Sequence, residues 1–342
     1  MSPHYDISRF RIPLTVTGLI LIATLSYMPC TSADALCYSL PGQYFRIDWI
    51  AGNPILSKIA SFLLLAVWPL MFFAMDSLYP MRLGSCLPLI YAVFIFSCRD
   101  ALCLSPIHIA SFFLAWAVFY SFRASLEPYD ADNPFLSMMM LSAASLFYVP
   151  LIWMAPLMAF LDNSNSAQKG KTIIGSVCGL LLPMLFTIGI HAITSGFRDI
   201  LEPVIRYAGM AVDIDAGWPV VRQSATALKV LFMVIATIWA TISFLRVFIT
   251  LDIAAERCHA HCLLYSALLA IIAVVFGRSL GSLPWMLPLM PLSLFMYTFF
   301  NKQTQHKTGI FMLCLLLLLI VAERIVILLS DAPTWPFRHL RR

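Results

Sequence analysis

Apolar runs long enough to cross a bilayer recur from one end of this chain to the other, and no other feature restricts its folding so tightly. They lie near 12–29, 54–75, 85–97, 101–122, 136–161, 172–193, 227–249, 262–276, 282–299 and 309–330. A helix needs about 20 apolar residues to span a hydrocarbon core of about 30 Å, and inside that core the backbone must satisfy its own hydrogen bonds. Of the 342 residues, 61% are hydrophobic and 11% charged, whereas a soluble domain carries about a quarter charged residues. One core of this size cannot bury so much apolar side chain, so lipid must be the solvent for most of the surface. A cytosolic enzyme, a secreted disulfide scaffold and a disordered chain are thereby excluded. A nucleic-acid reader is excluded as well, because the net charge of +5 is small and no Lys/Arg run concentrates it.

The expected fold is all-α, a polytopic transmembrane bundle of ten or eleven spans, forming one integral membrane domain over 1–342 with polar loops at 30–53 and 194–226. Neither an internal repeat nor a low-complexity tract is visible. Two runs decide the span count. Residues 85–97 are short for a crossing, and 136–161 are interrupted by Pro150 and Pro156, so they form one kinked helix or two short helices meeting at a break. Arg9 and Arg11 argue for a cytoplasmic start under the positive-inside bias. With ten spans Arg338, Arg341 and Arg342 are cytoplasmic but Lys169, Lys171, Lys302 and Lys307 are not; with eleven the assignment reverses. The first run, Ile12 to Met28, is followed by Ala33-Asp34-Ala35. It exceeds the about 7–15 residues of a cleavable signal core, so an uncleaved first helix is expected.

Most cysteines, among them Cys86, Cys98, Cys103, Cys178 and Cys314, sit inside apolar runs and read as small buried hydrophobes. Cys30 and Cys37 lie in the first polar loop and can pair if that loop is extracytoplasmic. The run Cys258-His259-Ala260-His261-Cys262 holds ligand-type residues, yet on a helix only Cys258 and Cys262 share a face, so no metal site is expected there. Signatures of nucleotide-binding loops, zinc proteases and nucleophile elbows are absent, and no cofactor is called for.

Chemistry-bearing residues cluster in a few places. In Phe45-Arg46-Ile47-Asp48-Trp49, Asp48 can act as a general base and Arg46 can meet a phosphate; the bland alternative is an aromatic interface anchor. Arg99-Asp100 occupy a short turn between apolar runs, with His108 in the next helix. An ionisable pair so close to lipid must face water, headgroups or each other, whereas a lone histidine in an apolar helix is usually a packing residue. Phe197, Ile200, Leu201, Val204 and Ile205 recur at helical spacing with Arg198 between them, the pattern of an interfacial helix near 197–208. Glu323-Arg324 form a charged pair inside the last run, about a turn and a half from its polar end.

Phe45-Arg46-Ile47-Asp48 through Gly52-Asn53-Pro54-Ile55-Leu56-Ser57-Lys58, Ser105 to Phe113, and Ala144 to Pro150 resemble an uncharacterised bacterial family of polytopic inner-membrane proteins. The resemblance covers about 40–190 and implies a bacterial cytoplasmic membrane location without an activity. The layout is also similar to that of C-type membrane glycosyltransferases, in which a first helix is followed by an extracytoplasmic loop with a catalytic carboxylate and then by short proline-broken helices. Asp48, or Asp34, occupies the carboxylate position; the paired acidic motif and the large C-terminal soluble domain of that class are absent.

Three functions follow as expectations. The first is a glycosyltransferase- or polymerase-like envelope enzyme on polyprenyl-phosphate-linked glycan, with Asp48 as base and Arg46, Arg99 or Arg198 on phosphate. The others are a non-enzymatic component of an envelope assembly or secretion system, partnered by other envelope proteins and membrane lipid, and a secondary transporter. The lack of visible inverted repeats weighs against the last.

Overall fold

The computed structural model describes residues 54–79, 87–98, 101–102, 104–130, 132–164, 166–194, 224–247, 253–276, 283–301 and 314–323. Among them every regular element is helical: α1 (Pro54–Leu78), α2 (Leu87–Phe96), α3 (Pro106–Leu126), α4 (Asp132–Phe147), a 3-10 turn (Val149–Met154), α5 (Ala155–Ser164), α6 (Lys169–Thr194), α7 (Ser224–Val247), α8 (Ile253–Phe276), α9 (Met286–Asn301) and α10 (Cys314–Glu323). Within the described residues four stretches are long and apolar enough to cross a membrane: Ile55–Leu78, Pro106–Leu126, Lys169–Ile190 and Glu256–Phe276. The first run, the loop 30–53 and the expected interfacial helix near 197–208 lie outside the described residues, as does the loop 194–226 except for its ends, where Thr194 closes α6 and residues 224–226 begin α7.

Helices that face lipid must settle their polar groups internally. Pro69 lies inside α1 and cannot donate to the carbonyl of Leu65 one turn earlier. That carbonyl accepts instead from the Tyr91 hydroxyl of α2 at 2.8 Å. Trp68 on the same helix is fully buried and donates its indole N–H to the Ser111 carbonyl of α3 at 3.0 Å. Serines and threonines along the helices turn back on their own carbonyls, as Ser61 does on Ser57 and Thr237 on Met233, both at 2.8 Å.

Helix α3 fixes the two ends of the bundle. Its start lies beside that of α1, where the Leu104 amide donates to Ser57 Oγ at 2.9 Å. Its end lies beside that of α1 too, where Tyr79 donates to Glu127. We refer to these as the proline end, after Pro54 and Pro106, and the basic end.

The proline-interrupted run 136–161 is two helices meeting at a break, of the two forms open from the sequence. The 3-10 turn carries Pro150, and Pro156 sits in the first turn of α5. The chain enters and leaves this segment at the same place. At its entry Asn133 Nδ2 donates to Glu127 Oε2 at 3.1 Å, and at its exit the Ala167 amide donates to the Pro128 carbonyl at 3.0 Å. Residues 132–164 therefore form a helical hairpin with both ends at the basic end. Two other bounds differ from the sequence reading. α3 starts at Pro106 because residues before it form a turn, and α8 begins at Ile253 because the polar stretch through His261 stays helical.

Helices α4 and α6 approach closely at Gly179, where an added Cβ would overlap the Phe135 carbonyl oxygen. Small residues at such crossings let backbones meet in membranes. Gly179→Ala is expected to destabilise the bundle by about 1–3 kcal/mol, the usual cost of overpacking. Gly189→Ala, with nothing within 4 Å of its added Cβ, should be nearly neutral. Thermal unfolding of the two variants in detergent makes the comparison.

Candidate functional site

At the proline end the turn before α3 is held by His108, which is fully buried. Its Nδ1 accepts the Ser105 amide at 3.1 Å, so Nε2 carries the hydrogen and donates to the Ala101 carbonyl at 2.8 Å. Both ring nitrogens are engaged, and His108 is a packing residue that caps the helix and pins the turn. Arg99 and Asp100 lie outside the described residues, as do Arg46, Asp48, Arg198 and Arg324. Glu323 is described, and it is buried at the end of α10.

The basic end carries a polar cluster on the surface. Arg123 Nη2 pairs with Glu127 Oε2 at 2.9 Å, one helical turn apart. Tyr79 and Asn133 also donate to Glu127, and Asn133 reaches Asp130 Oδ2 at 2.9 Å. Partial burial, reinforced by the neighbouring Glu127, pushes the Tyr79 phenol up to about 12. Burial alone would raise Glu127, but the hydrogen bonds from Tyr79, Arg123 and Asn133 and the guanidinium charge outweigh it and hold the carboxyl below its ordinary range.

Behind this surface lies a buried carboxylate that the sequence reading did not single out. Asp162, in the last turn of α5 and outside the four spanning helices, is fully buried. Ser121 of α3 is hydrogen-bonded both to Asp162 Oδ1 and to the Tyr265 hydroxyl of α8, so a hydroxyl chain joins three helices. Ser137 of α4 stands next to the carboxylate without closing a hydrogen bond, and Asp162 Oδ2 has no hydrogen-bond partner. Burial pushes the carboxyl up to about 7, with the Ser121 and Ser137 hydroxyls pulling the other way. Phe122 stacks on the Tyr265 ring at 6.4 Å and on the His261 ring at 6.1 Å, closing the cluster toward the apolar core.

The ligand-type run on α8 is helical, with Cys258 and Cys262 fully buried. No three His, Cys, Asp or Glu side chains converge as a metal-binding group among the described residues. Cys98 is buried as the sequence reading has it, whereas Cys178 and Cys314 are exposed on their helices.

The Glu127 cluster generates a pH prediction. Because the folded carboxyl titrates below its unfolded value, its stabilisation is present above the unfolded range and lost as pH falls through the folded one. Wild type should therefore lose more thermal stability than Glu127→Gln between neutral and acid pH. The difference should be small, since this pair is about a third exposed. No family model matches the chain, and neither does any curated protein or solved structure, so its chemistry rests on its own residues.

Proposed function

We propose that this chain is a multi-pass protein of a bacterial cytoplasmic membrane, a glycosyltransferase- or polymerase-like enzyme acting on polyprenyl-phosphate-linked glycan at the proline end of the bundle. The observation that carries this reading is the hairpin 132–164. Because both its ends lie at the basic end, Arg123, Lys169, Lys171 and Arg257 gather there. Under the positive-inside bias that end is cytoplasmic. The proline end is then extracytoplasmic, the side on which the C-type enzymes that the layout resembles hold their carboxylate.

The chain leaves the described structure at the proline end where the sequence expects the chemistry. Asp48 and Arg46 precede Pro54 of α1, and Arg99 precedes the turn that His108 pins beside Ser57. Arg198 follows Thr194, where α6 ends after starting at the basic end. In the proposed reaction Asp48 takes the proton from an acceptor hydroxyl as its oxygen attacks the anomeric carbon. The bond from that carbon to the phosphate oxygen breaks, and Arg46, Arg99 or Arg198 meets the phosphate charge on the departing lipid. Secondary transport is the second reading; Asp162 favours it, since an acid buried in a membrane bundle suits ion coupling.

Asp48→Asn should abolish transfer from a radiolabelled polyprenyl-phosphate sugar in membrane vesicles while leaving expression unchanged. Unaltered transfer would remove the enzyme reading as written here. Topology is the second check. In a cysteine-free background Asp48→Cys should label from outside, while Gly170→Cys and Thr304→Cys should label only after permeabilisation. Labelling of Gly170→Cys from outside would place the basic end on the wrong side for this reading.

A further inference from the structure

We propose that Asp162 is a proton-binding site, its carboxyl kept neutral while α5 is packed against α3, α4 and α8 and ionised when α5, one arm of the hairpin 132–164, separates from them. The site lies at the basic end and stands on residues that the transferase reading does not use, so its fate is independent of that reading.

The first ground is that, among the described residues, nothing beside this carboxylate carries a positive charge. From α3 it meets Ser121; the nearest cation on that helix, Arg123, is committed to Glu127. From α4 it meets Ser137, a neutral hydroxyl. From α8 it meets Tyr265 through Ser121, with Cys258, Cys262 and His261 around the phenol. Arg257 on that helix directs Nη1 to the Ser125 carbonyl at 2.9 Å. Lys169 and Lys171, at the start of α6, are exposed. A fully buried carboxylate with only hydroxyl dipoles for company favours its neutral form, because the charged form loses its water without gaining a counter-ion.

The second ground is the unsatisfied oxygen. Oδ1 is served by Ser121, whereas Oδ2, equally buried, has no partner. An acceptor left empty at this depth is costly for a carboxylate and is the natural place for a bound proton.

The third ground is mechanical. Asp162 joins α5 to α3 and, through Ser121, to α8, so it fastens one arm of a hairpin whose two arms are separated by the irregular turn Val149–Met154. Ionisation would oppose burial of that arm and favour its release toward the basic end, where Lys169 is exposed. A proton taken up there would let the arm dock again. The site thus links protonation at the basic end to closure of the hairpin. The same oxygens offer a monovalent cation an alternative seat, which the test separates.

The experiment uses the full chain in lipid nanodiscs. Infrared difference spectra recorded across a pH titration should show the carbonyl band of a protonated carboxylic acid that persists to neutral pH and is missing from Asp162→Asn. Thermal unfolding supplies the second readout. A carboxyl raised in the folded state costs stability as pH climbs above the ordinary carboxylate range, so wild type should lose stability from acid pH up to about 7. Asp162→Asn should stay flat by comparison. If Asp162→Asn fails to fold, Ser121→Ala keeps the carboxyl and, having lost a donor, should move the band's titration to higher pH. Absence of an Asp162-dependent band at every pH, or a band unmoved in Ser121→Ala, overturns the proposal. Stabilisation of wild type but not Asp162→Asn by sodium at fixed pH overturns it in favour of a cation site.

Discussion

Inside a bilayer the backbone has no water to bind, and each irregularity in this bundle is arranged around that fact. Pro69 would leave the Leu65 carbonyl unsatisfied in α1, and the Tyr91 hydroxyl of α2 takes it. The turn before α3 would expose the Ala101 carbonyl and the Ser105 amide, and one histidine ring answers both. The prolines that break 136–161 would be costly in a lone lipid-facing helix. Here the chain folds back on itself there, and Leu151, Met154 and Tyr148 bury the break against neighbouring helices. Polar side chains in these places complete the backbone before they do anything else.

Charge is distributed by the same economy. Arg123 pairs with Glu127 at the basic end. Tyr79 and Asn133 add donors to that carboxylate and tie α1, α3 and the start of the hairpin together at one point. Asp162 departs from the pattern: it lies behind the surface cluster, is bonded only to neutral hydroxyl, and belongs to a short helix that its own chemistry fastens in place.

The sequence established the class of this protein, because the apolar runs and scarcity of charge leave lipid as the only adequate solvent. It located most long helices within a few residues, and Pro150 and Pro156 marked the break between α4 and α5. It favoured a packing role for His108, for an isolated imidazole in an apolar helix needs only local partners. It could not show where the broken run ends up: hydropathy measures how apolar a segment is and says nothing of whether it crosses or turns back. Asp162 was illegible for a related reason. It follows an apolar run and precedes Asn163 and Ser164, the setting of an ordinary interfacial acid, and its burial depends on Ser121, 41 positions earlier, and on Tyr265 far later in the chain. Periodicity and composition fix a residue's local chemistry, whereas burial and charge compensation depend on partners that only the packed helices bring together.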